Sequence, residues 1–106
     1  LIILEGKLKA AFIFIAPGAN SKKDRTVVST PSVELEVYGV GSYDEAAELA
    51  RGLVERGISA IELCGGFGIR GVAMVSEAVG GKAKVGVVRF DAHPALNWKS
   101  GDEVFK

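Results

Sequence analysis

Between residues 33 and 91 the hydrophobic pattern alternates between strand and helix periods, and this alternation restricts the chain more than any other feature. Val33, Leu35 and Val37 alternate with Glu34, Glu36 and Tyr38, a period of two that predicts a strand with one wet face near a sheet edge. Ser42 and Glu45 then stand at capping-box spacing. Ala46, Leu49, Ala50, Leu53 and Val54 recur at helical intervals with Glu48, Arg51 and Glu55 opposite, until Gly57 supplies a stop. Residues 58–64 (ISAIELC) form a short apolar run expected to be a buried strand. Residues 69–79 carry Val72, Val75 and Val79 on one helical stripe and end at Gly80-Gly81, and residues 84–90 (KVGVVRF) close the pattern as a strand. The stretches 33–64 and 58–91 each have the size of a βαβ unit, and right-handed crossovers make their three strands parallel.

Ahead of these units, residues 9–15 (KAAFIFI) read as one more buried strand, stopped by Ala16-Pro17-Gly18. Residues 17–32 read as an exposed loop, with at most a short extended piece at 26–28. With no helix before the next strand, the first strand is expected either to pair antiparallel to it or to reach its place through the long loop. The expected fold is therefore one α/β domain over residues 1–106, with about four mainly parallel strands and two principal helices. Residues 1–8, which open on an apolar run with no methionine, are expected to be foreign to the fold or flexible, and residues 92–106 to be a tail. At 106 residues the chain is too short for a complete (β/α)₈ barrel, which takes roughly 200 to 250. Two helices cannot cover both faces of such a sheet, so a homo-oligomer is expected.

Thirteen basic residues balance thirteen acidic ones, which removes the global positive field that nonspecific nucleic-acid binding or an anionic membrane would use. Residues 1–4 are apolar, but Glu5 and Lys7 interrupt them far short of a membrane span of about 18 residues. Neither nucleic acid nor membrane is an expected partner. A single cysteine, Cys64, closes no internal disulfide and suits a reducing cytoplasm, the expected location.

Ligands of open α/β sheets bind beyond the carboxyl ends of the strands, which selects two segments. In the first, Gly65, Gly66 and Gly68 remove side chains where a helix start leaves backbone N–H groups free, and Arg70 adds positive charge. A phosphate or carboxylate could dock there, although the same glycines serve a tight turn equally well. In the second, Arg89, Asp91 and His93 leave the last strand; Arg89 would hold an anion, and Arg89 with Asp91 could equally be a local ion pair. Glu62 or Asp91 would serve as base and Cys64 or His93 as proton relay, while packing alone would account for Cys64. The five residues Glu62, Cys64, Arg89, Asp91 and His93 are expected to line one cavity. A metal set drawn from Glu62, Asp91 and His93 rests on weak spacing, so no metal site is assigned, and no cofactor is specified.

The runs KAAFIFIAPGA, AIELCGGFG, VGVVRFD and KSGDEVF, spread from Lys9 to Phe105, resemble a family of small prokaryotic proteins known as a domain of unknown function, which implies no activity. Within Ala46 to Gly66, AAELARGLVERGISAIELCGG looks like a helix–strand unit of the keto-deoxy-phosphogluconate aldolase type of barrel, implying an arrangement like a fragment of that barrel. Those enzymes carry a Schiff-base lysine at a strand's carboxyl end, whereas Lys82 and Lys84 sit at the opposite end of the last strand, so the aldolase mechanism does not carry over. A cysteine leaving a strand into a helix also looks like the aspartate/glutamate racemases, but their second catalytic cysteine is missing. The resulting expectation is a protein that binds a small anionic metabolite, with or without transforming it. The competing expectation is a noncatalytic, oligomer-forming module.

Overall fold

The computed structural model describes residues 6–105. Strands β1 (Leu8–Ile15), β2 (Arg25–Ser29), β3 (Val33–Val40), β4 (Ala60–Leu63) and β5 (Lys84–Val87) form one sheet in the order β2-β3-β1-β4-β5. Helix α1 (Tyr43–Glu55) joins β3 to β4, α2 (Ile69–Val79) joins β4 to β5, and a single turn, α3 (Gly101–Val104), ends the described chain. β1 runs parallel to both β3 and β4, β4 runs parallel to β5, and β2 alone is antiparallel.

The sheet therefore has five strands where four were expected: Arg25–Ser29, read mostly as loop, pairs with β3 as an edge strand. Its five residues are all exposed, so it carries no buried alternation for a sequence reading to find. β1 takes the second of its two expected routes, reaching a parallel place through the long connection that contains β2. It inserts between β3 and β4, whereas consecutive strands of a barrel unit would be neighbours. The sheet is open, with edges at β2 and β5, and the aldolase-barrel arrangement does not hold.

Local chemistry explains the helix boundaries. Ser42 Oγ accepts from the Glu45 backbone N–H at 3.1 Å, which is half of the expected capping box. The Glu45 carboxylate turns instead to the backbone N–H groups of Gly41 and Ser21, at 2.8 and 2.9 Å, and ties the β1–β2 connection to the start of α1. Gly80, at φ 57°, closes α2 in the left-handed conformation.

Both crossovers, β3-α1-β4 and β4-α2-β5, step across the sheet in the same direction, so their right-handedness places both helices on one face. Ala11, Ile13 and Ile15 of β1, Tyr38 and Val40 of β3, and Ile61 and Leu63 of β4 point to that face and pack against Ala46, Ala50, Leu53, Val75 and Val79. Glu36 also faces the helices and is 8% exposed; its carboxylate receives Arg56 Nη1 and Nη2, at 3.2 and 2.6 Å, and the Tyr38 hydroxyl. The opposite face carries no helix among the described residues. Residues 1–5, part of the segment expected to be foreign or flexible, lie outside the described residues; Leu8, from the same segment, opens β1.

Candidate functional site

At the carboxyl ends of β4 and β5 the chain leaves a cleft of about 310 Å³. Its walls are apolar, from Phe67, Ile69, Val72, Val87 and Phe90, and its polar groups are Arg89, Asp91, Ser100 and Asp102. Ile69 is 61% exposed there, and Phe90 and Val87 are also exposed, so the cleft holds apolar surface open to solvent beside a few charges. A larger hollow of about 670 Å³ lies between α1 and the β2–β3 margin. It is the gap beside an edge strand that no helix reaches, and several of its charged groups, Glu45 and Arg56 among them, are already engaged within the chain. The smaller cleft is the better site on chemical grounds.

The start of α2 borders this cleft. Asp102, from the terminal turn α3, places its carboxylate there and accepts from the Arg70 backbone N–H through both oxygens, each at 3.1 Å. The Tyr43 hydroxyl donates to Asp102 Oδ1 at 2.9 Å and accepts from the Gly68 N–H at 3.0 Å. Free N–H groups at a helix start attract negative charge, and here the chain supplies the carboxylate itself. Burial, with the Asp102 carboxylate adding to it, pushes the Tyr43 hydroxyl up to about 12, so it stays a donor at neutral pH.

The three glycines of the loop are filled by other parts of the fold. A Cβ at Gly65 would meet the Phe90 ring, one at Gly66 would press on Ile15 and the Cys64 sulfur, and one at Gly68 would collide with Asp102. They permit close internal packing, a role outside the two expected for them, an anion cradle and a tight turn. Of these three, only Gly68 lines the cleft.

The five residues expected to share one cavity separate. Arg89 and Asp91 line the cleft and form an ion pair of 2.9 Å through Arg89 Nε. Glu62 is opposite Gly86 and Phe12 in register, on the helix-free face, whereas the cleft lies on the side of Val87, which is opposite Leu63. This corrects the expected convergence: in the register of β4 with β5, Glu62 is level with Gly86 and faces away from the cleft. Cys64 Sγ sits between the ends of β1 and β4 and accepts from the N–H groups of Ile15 and Gly66, at 3.4 and 3.3 Å. His93 Nδ1 accepts from the Ala95 N–H at 3.0 Å, and its ring lies 4.7 Å from that of Phe90, so it braces one cleft wall from behind. Arg70 places its backbone N–H, and not its charge, at the Asp102 carboxylate. Among the described residues no cluster of three metal-ligating side chains occurs.

A family model described as "Family of unknown function (DUF6506)" matches residues 8–103. The chain belongs to that family. No curated protein and no solved structure matches it. The DUF6506 match opens on the first residue of β1 and closes on Glu103 within α3, so it includes the whole sheet, the cleft and Asp102.

Three residues that shape this DUF6506 cleft escaped the sequence reading: Tyr43, Ser100 and Asp102. One signal was present. Ser100 and Glu103 repeat the spacing of Ser42 and Glu45, and the Ser100 backbone N–H donates to the Glu103 carboxylate at 3.3 Å at the start of α3, with Asp102 between them. Residues 92–106, expected to be a tail, thus include a docked element. Phe105 packs against the core, 6.1 Å from Tyr43 between ring centroids, whereas Trp98 is 69% exposed.

Proposed function

We propose that this chain is a small-molecule-binding domain whose ligand has an apolar body and one carboxylate or phosphate group. The observation that carries this reading is the cleft at the carboxyl ends of β4 and β5, with five apolar walls and Arg89 at its rim. Arg89 Nε donates to Asp91, which orients the guanidinium, and its terminal nitrogens enter no other hydrogen bond among the described residues. A guanidinium held in this way offers a fork of donors suited to a bidentate carboxylate or phosphate. Phe67, Val72 and Val87 would take the apolar part. The Arg70 N–H at the start of α2 already holds Asp102, and the Gly68 and Gly66 N–H groups already donate to the Tyr43 hydroxyl and the Cys64 sulfur, so recognition of the anion falls to Arg89 and not to the loop amides. If the bound molecule is transformed, Asp91 and Asp102 are the carboxylates within reach of it, and Glu62 is not.

A thermal-shift screen with carboxylated and phosphorylated aromatic or aliphatic compounds tests the reading. A ligand present at 100 times its Kd stabilises the native state by about 2.7 kcal/mol, which raises the Tm of a domain of this size by roughly 10 °C or more. Arg89→Ala is expected to remove that shift while the far-UV spectrum and the Tm without ligand stay near those of the parent, because the Arg89 side chain is solvent-exposed. An unchanged ligand response in Arg89→Ala would move anion recognition elsewhere.

A further inference from the structure

We propose that the helix-free face of the sheet is closed by a second copy of this chain, through a two-fold axis that crosses the strands. Register and alternation identify the residues of that face: Leu8, Ala10, Phe12 and Phe14 from β1, Val33, Leu35, Val37 and Gly39 from β3, Thr26 and Val28 from β2, Ala60 and Glu62 from β4, and Lys84 and Gly86 from β5. Phe14 lies over Gly39, its ring occupying the space a Cβ there would need, so the face is flat and aromatic toward the carboxyl ends of β1 and β3. From β2 to β1 the face is apolar but for Thr26. Among the described residues, its only charges are Glu62 and Lys84, both on the β4–β5 side.

The area suits such an interface. Five strands spaced about 4.8 Å apart, the longest about 26 Å, give roughly 500 Å² of projected sheet per copy. The accessible surface of standing side chains is larger than the projection, which brings it near the roughly 800 Å² per partner of a standard interface. An apolar sheet face of this extent is not what monomeric proteins usually leave in water.

The position of the two charges selects the symmetry. With an axis along the strands, the β4–β5 side of one copy would lie over the β2–β3 side of the other, pressing Glu62 and Lys84 against Val28, Leu35 and Val37 without partners. An axis across the strands lays each half of the face on its own counterpart, apolar on apolar and charged on charged. Lys84 is level with Ala60, and Glu62 is level with Gly86, two residues further along. The sheet is centred near Ile61, which is level with Ala11 and, through it, with Glu36. Rotation about an axis at that level carries Lys84 of one copy over Gly86 of the other, beside that copy's Glu62, and the reciprocal pair forms by symmetry. Gly86 has nothing within 4 Å of where its Cβ would be, which leaves room for the incoming lysine.

Sedimentation equilibrium of the full chain at micromolar concentrations, with far-UV spectra to verify folding, tests both parts. The parent is expected to be a dimer, and Leu35→Lys a folded monomer, with association weakened about 100-fold or more by an unpaired charge in the interface. Glu62→Lys and Lys84→Glu, both at exposed positions, are each expected to weaken the dimer about 10-fold, and the double exchange to restore it. A monomeric parent overturns the proposal, leaving the face to a different partner or to solvent. A dimer indifferent to Leu35→Lys and to both charge variants overturns it as well, by placing the contact on another surface. Should Leu35→Lys fail to fold, the charge exchanges decide alone: weakening without restoration refutes the two-fold axis across the strands.

Discussion

At the scale of single residues, the most constrained polar group is Glu36, a buried carboxylate on the helix-covered side of the sheet. The hydrogen bond from Arg56 holds its carboxyl below the ordinary value of 4.5, against burial, which acts in the other direction. A depressed carboxylate contributes stability that is full above its unfolded value and is lost as pH falls through the folded one. Arg56→Ala is therefore expected to destabilise the protein by about 2 kcal/mol at neutral pH. The gap between variant and parent should shrink below about pH 4.5, as Glu36 is protonated in both proteins. Urea denaturation midpoints across pH 3 to 7 measure this, and a gap independent of pH would mean that Arg56 acts through packing alone. The sequence reading put Glu36 on the wet face of its strand with Glu34 and Tyr38, whereas the helices cover that face and Val33, Leu35 and Val37 lie on the helix-free one, because alternation sorts side chains into two faces and is silent on which of them the helices will cover.

At the scale of elements, α1 and α2 are legible because their apolar stripes and stop glycines are local signals, while α3 is a single turn that persists through what it touches. Gly101 shows this most clearly: a Cβ there would strike the Gly66 carbonyl oxygen and crowd the Tyr43 hydroxyl at 2.8 Å. Gly101→Ala is expected to cost about 3 kcal/mol or to lift α3 from the start of α2, with Asp102 withdrawn from the Arg70 N–H. Gly52, on the exposed side of α1, has nothing within 4 Å of its missing Cβ, so Gly52→Ala should stabilise by roughly 0.5 to 1 kcal/mol through helix propensity. Chemical denaturation of the two variants side by side checks the opposite signs. The same contrast explains the glycine-rich loop, whose glycines at 65, 66 and 68 were visible in the sequence while the groups that fill them, from Phe90, Ile15 and α3, come from distant parts of the chain.

At the scale of the whole molecule, protection should follow sheet position. β1 is paired on both sides and lies over the core, whereas every residue of β2 is exposed. Native-state amide exchange is expected to be slowest in β1 and fastest, among the strands, in β2. Equal protection of the two would argue that β2 is covered by something outside the described residues. Legible from the sequence alone were the local elements from β3 to β5 and the parallel sense of those strands, since hydrophobic period, capping spacing and crossover handedness all act over short stretches of chain. The insertion of β1 between β3 and β4, the recruitment of an exposed segment as β2, and the separation of Glu62 from Arg89 were decided only in the tertiary structure. Each depends on pairing between residues far apart in sequence. Strand order and facing are set by which surfaces can be buried together, and no local pattern carries that information.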